Sequence, residues 1–146
     1  MFGMFKKLKG AGAAISDKAV KAENRDLMEA CVGACVLIAF ADGELEDEEV
    51  KATQKLLGSA KQLAAFGDEV NKEFDRLCTR FEAGYRVGRL EVMKEIKDCA
   101  GNKEEAEMIL VLSIEVAFAD GELEPDEEKE LEKIANALNL KVEDYI

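Results

Sequence analysis

The octapeptide AFADGELE occurs twice, at Ala39–Glu46 and again 78 residues later at Ala117–Glu124. The register holds downstream, where Thr53, Leu56, Leu57 and Ala60 fall opposite Leu131, Ile134, Ala135 and Leu138. Those positions follow the i, i+3, i+4, i+7 rule, so each copy leads into a helix with one apolar face. A long apolar run precedes each copy. The repeated unit therefore reads as helix, acidic turn, helix. Two copies predict a pseudo-symmetric pair, since stacking folds need about three or more repeats.

Composition agrees with an all-α chain. Pro occurs once in 146 residues, and Ala, Leu, Glu and Lys dominate. The length suits a single domain with its own core. The expected fold is a single-domain bundle of about seven helices built on the two helix–acidic turn–helix repeats. The run MILVLSIEVAFA at 108–119 is the most apolar and is expected to be the central element. Helix starts are expected at Asn24 or Asp26, Glu46, Asp68, Asn102 and Glu124-Pro125. Val87, Leu90, Val92, Met93 and Ile96 are expected to mark a fifth helix, ended near Gly101.

The net charge is −12, which disfavours nucleic acid and suits cations or basic partners. It is unevenly spread. Residues 1–22 hold five Lys and one Asp, net +4, so residues 23–146 carry −16. Two segments follow: a basic amphipathic start over 1–22 and a helical domain over 23–146. In the start, Phe2, Phe5, Lys6, Lys7 and Lys9 form a candidate contact with a partner or a membrane surface, or a tail docked on the core. There is no signal-peptide core and no apolar run of about 20 residues. Four Cys lack any CxxC pairing and His is absent, so a thiolate zinc site is not expected. Cys31 and Cys35, four apart on an apolar face, read as reduced core thiols of a cytoplasmic protein. Without His, and with no Ser or Cys beside a base, the chain is not expected to be an enzyme.

Each turn holds six carboxylates within eight or nine residues. Hard oxygen donors at this density suit Ca²⁺, Mg²⁺ or Mn²⁺. The spacing is not that of an EF-hand, because Gly follows the first Asp directly. Two readings stay open. Carboxylates in a helix's first turn complement its positive end, and Asp42 and Asp120 can bond backbone N–H groups ahead of them. Alternatively, Asp42 with Glu49 and Asp120 with Glu127 face each other across their turns as metal ligands, with Glu44 and Glu122 as second choices. If the two turns lie close together, a dozen carboxylates repel unless a cation neutralises them.

The duplicated ADG turn, with an acidic residue seven positions after each Asp, resembles the TerB family of tellurite-resistance proteins. The helical domain of membrane-anchored J-domain co-chaperones has a similar turn. The resemblance covers essentially the whole chain. It implies an all-helical single domain of about seven helices in the cytoplasm of bacteria or in phage, linked to tellurite and stress resistance. It further implies divalent metal at Asp42, Glu49, Asp120 and Glu127, and a membrane-associated partner of the same operon, with peripheral contact at the inner membrane face. A monomer or weak dimer is expected. The alternative is an acidic interaction scaffold with no metal site. Glu46 and Glu124 depart from the family's frequent Ser or Asp caps, making the turns more acidic and the caps weaker.

Overall fold

A computed structural model describes residues 13–119 and 121–146, with side chains from Asn24 onward. Phe2, Phe5, Lys6, Lys7, Lys9 and Asp120 lie outside them. The described residues form six α-helices and two 3₁₀ turns, without a strand. The α-helices are α1 (Ala13–Ala39), α2 (Asp47–Ser59), α3 (Asp68–Ala83), α4 (Tyr85–Asp98), α5 (Lys103–Ala117) and α6 (Pro125–Ala137). The 3₁₀ turns span Lys61–Phe66 and Val142–Asp144.

The centre of the bundle is α1, not the 108–119 run. From Ala30 to Phe40 every residue of the chain is buried, and α1 packs against all five other α-helices. Its sequence explains this. CVGACVLIAF carries no charge on any side, and a helix apolar all round belongs in the interior. By contrast α5 keeps Val111 and Glu115 exposed. The start of α1 also differs from expectation. The chain is already helical at Ala13, the first described residue, and Asn24 is buried within the helix instead of capping it. Residues 13–32 contain neither Gly nor Pro and are rich in good helix formers, so nothing interrupts the backbone there. The boundary expected at 22/23 falls inside this one continuous helix.

On α4 the inward face is Gly88, Val92 and Ile96, spaced four apart. Val87 and Leu90 point outward, 57% and 69% exposed. Two close backbone approaches set this rotation. A Cβ on Gly88 would meet the Phe81 ring at 2.7 Å, and one on Gly33 of α1 would meet Val92 Cγ1 at 2.7 Å. Both glycines are there for space, not for backbone freedom.

The expected caps form at α5 and α6. Asn102 Oδ1 accepts the Glu105 N–H at 3.1 Å. At α6, Pro125 takes the first helical position, and Glu127 Oε1 accepts the Glu124 N–H at 3.2 Å. Glu46 makes no side-chain cap to α2, as a long Glu in place of Ser predicts.

Candidate functional site: a pocket between the acidic turns

The described residues of the two octapeptides follow the same backbone course. After α1, the Gly43 N–H donates to the Phe40 carbonyl at 2.9 Å; after α5, the Gly121 N–H donates to the Phe118 carbonyl at 2.9 Å. Gly43 has φ +91° and Gly121 φ +92°, left-handed values that suit glycine and close each helix. Glu46 and Glu124 are then both extended, at φ −86°, ψ 151° and φ −79°, ψ 152°. Leu45 and Leu123 pack against the core and pin the turns. Asp42 Oδ1 accepts the Glu44 N–H at 3.1 Å, which is the local turn role anticipated for it.

The two turns open onto one pocket of about 370 Å³. Asp42, Glu46, Glu48 and Glu49 line it from one side, and Glu124 and Glu127 from the other. Beneath them lie the buried Ile38, Ala39, Val116 and Thr53, and the exposed Ala52 and Ala119 complete the lining. Among the described residues no Lys or Arg lines it. Two kinds of helix end meet here. The N-termini of α2 and α6 offset part of the acidic charge, whereas the C-termini of α1 and α5 add to the attraction for a cation.

Of the expected ligands, Asp42, Glu49 and Glu127 share this pocket; Glu44 and Glu122 do not line it, and Asp120 lies outside the described residues. Glu46, Glu48 and Glu124 line it too. Sequence reasoning assigned these to helix-end electrostatics. The available signal was spacing, since Glu46 with Glu49 and Glu124 with Glu127 are i, i+3 neighbours on one helix face. Among the described residues no three His, Cys, Asp or Glu cluster tightly enough to hold an ion.

Away from the pocket, Cys31, Cys35 and Cys99 are buried and Cys78 is half-buried. Burial pushes the Cys35 and Cys99 thiols up to about 12, so at neutral pH they are protonated and unreactive.

The sequence model of the family described as "Tellurite resistance protein TerB" matches residues 14–146. The chain belongs to the TerB family. This TerB-family chain is 29% identical over 115 residues to the Tellurium resistance protein TerB of Alcaligenes sp, covering 75% of this chain and 94% of that protein. No solved structure matches it. No helix among the described residues is long and apolar enough to cross a membrane.

Proposed function

We propose that this TerB-family protein is a non-enzymatic accessory factor in tellurite and related stress resistance. In this reading it holds a divalent cation, Ca²⁺, Mg²⁺ or Mn²⁺, between its acidic turns and works in the cytoplasm with a membrane-associated protein partner. One observation carries the metal reading. Two turns 78 residues apart converge on one pocket, which among the described residues is lined by six carboxylates and no basic side chain. The donor set is all oxygen and fits hard cations. Mg²⁺ keeps several waters and needs only one or two direct carboxylates, so dispersed side chains suit it better than they suit a fully dehydrated ion. Asp42, Glu49 and Glu127 are the residues that would hold it. When bound, the ion supplies charge neutralisation to a face that otherwise repels itself.

Titration calorimetry with Ca²⁺, Mg²⁺ and Mn²⁺, repeated on E49Q/E127Q, tests this. A ligand at a hundred times its Kd adds about 2.7 kcal/mol of stability, which is roughly 5–10 °C in Tm for a chain this long. Absence of heat, with a Tm unmoved by millimolar cation, overturns it.

A second reading, an acidic scaffold without metal, is favoured by a specific contact. Glu127 already accepts the Glu124 N–H, which ties one candidate ligand to the helix cap.

A further inference from the structure

The acidic pocket has two properties that a hydrated cation does not use. Its volume of about 370 Å³ is that of roughly a dozen waters at about 30 Å³ each. Its lining includes the buried apolar Ile38, Ala39 and Val116 beneath the acidic rim. An aliphatic stem lying on apolar surface with its ammonium among carboxylates is the environment lysine side chains occupy. The chain carries a matching sequence at its own start, where Phe2, Phe5, Lys6, Lys7 and Lys9 belong to a net +4 segment set against −16 elsewhere.

The fold decides how the two could meet. The pocket abuts the C-terminal end of α1, at Ile38 and Ala39, and α1 begins at Ala13. Its 27 residues span about 40 Å at 1.5 Å per residue. Lys9 lies four residues before Ala13 and reaches at most about 14 Å from it; Lys6, seven residues before, reaches about 25 Å. The lysines therefore fall short of the pocket on their own chain. A second copy lying antiparallel alongside brings its own start to that pocket and receives the first copy's start in return. Such an exchange is self-complementary and closes as a twofold dimer.

We propose that residues 2–9 of one copy dock in the acidic pocket of a second copy, lysine heads against Glu48, Glu49 and Glu127, forming a reciprocal, salt-sensitive dimer. The proposal does not require a metal ion and goes beyond the metal reading. Charge complementarity between +4 and −16 regions drives it, and the like charge of the two bodies keeps it weak and reversible.

Sedimentation velocity of the full chain at rising concentration tests it. At low ionic strength a reversible dimer is expected, with Kd raised tenfold or more by about 0.5 M NaCl. K6E/K7E/K9E and, separately, E48Q/E49Q should each raise the Kd at least tenfold. K6Q/K7Q/K9Q, a milder change that removes charge without reversing it, should give an intermediate Kd. A chain that stays monomeric at millimolar concentration overturns the proposal. So does a dimer that is indifferent to both sets of substitutions. Calorimetry of K6E/K7E/K9E with Mg²⁺ reads the metal reading separately, because that variant keeps every pocket carboxylate.

Discussion

Arg89 on α4 and Glu130 on α6 form a partly buried ion pair, with the Arg89 Nε donating to Glu130 Oε1 at 3.0 Å and its Nη2 at 3.0 Å from the same oxygen. The Glu130 side chain is only 7% exposed. Removing the arginine strands a carboxylate in the interior, and a stranded buried charge costs more than the pair contributes. R89A should lower stability by roughly 2–4 kcal/mol, whereas R89M/E130L should fall well short of that loss. Urea unfolding of the two variants checks the asymmetry; equal losses would show that the pair is not buried in effect.

The close approach of α1 to α4 at Gly33 makes a second prediction. Alanine is the better helix former by about 1 kcal/mol, yet its Cβ would lie 2.7 Å from a Val92 methyl. Valine cannot swing aside as a long side chain would. G33A should destabilise by about 1–3 kcal/mol despite its propensity, and G33A/V92A should recover part of the loss. A stabilised G33A, seen as a higher Tm, would contradict the packing.

Glu95 sets a pH dependence. Three carboxylates, Glu29 of α1, Glu73 of α3 and Glu95 of α4, influence one another here, with Asp26 close by. Arg76 is near all three and bonds Glu73 at 2.8 Å, while Arg25 bonds Glu69 at 2.7 Å. Glu95 Oε2 is buried without a hydrogen-bond partner among the described residues. Burial first, then Glu29 and Glu73, push its carboxyl up to about 7. Below about pH 4.5 both folded and unfolded states are protonated. As pH rises the unfolded chain ionises first, so the native state binds more protons and stability falls until about pH 7. Above that the whole penalty is present. E95Q should flatten this slope and be more stable than the parent at pH 8 by roughly 1–2 kcal/mol, allowing for solvent screening of a half-buried group. Parallel pH profiles of the two proteins would count against it.

The thiols should divide by burial. Cys78 is the accessible one, although burial raises it to about 11; Cys31, Cys35 and Cys99 are enclosed. Alkylation at pH 8 should modify Cys78 slowly, and the other three only as fast as the protein opens. C78S should then show almost no native-state labelling. Rapid labelling of Cys31 or Cys35 would revive a redox role for them.

Much of this architecture was legible because local signals agreed. Asn102, Pro125 and the Gly43 and Gly121 turns punctuate the chain where sequence rules place them. The duplicated octapeptide implied that the turns resemble each other. That they share a pocket follows only from how α1 and α5 pack side by side. The rotation of α4 was hidden for a related reason. Val87 and Leu90 look like core by type, but Gly88 faces inward because the Phe81 ring needs the room, and periodicity of apolar residues gives a glycine no weight. The central role of α1 was missed because Ala, Cys and Gly score weakly as apolar while packing closely. The start of α1 was missed because Asn24 carries the chemistry of a cap, and only tertiary burial reveals it as interior.

Asp42 stands on a ridge between two depressions. One is the acidic pocket; the other is a cleft where Asp42 and Gly43 meet Phe40, Phe81 and Tyr85. The Tyr85 and Phe81 rings meet edge to face, 5.7 Å between centroids. The chain has two tyrosines and no tryptophan. The other, Tyr145, is tied by its hydroxyl to Glu107 at 2.5 Å, near the C-terminus. With Y145F, tyrosine emission comes from Tyr85 alone, beside the Asp42 turn that also lines the acidic pocket. The molecule thus carries its own optical gauge, reading from one side of a turn what arrives on the other.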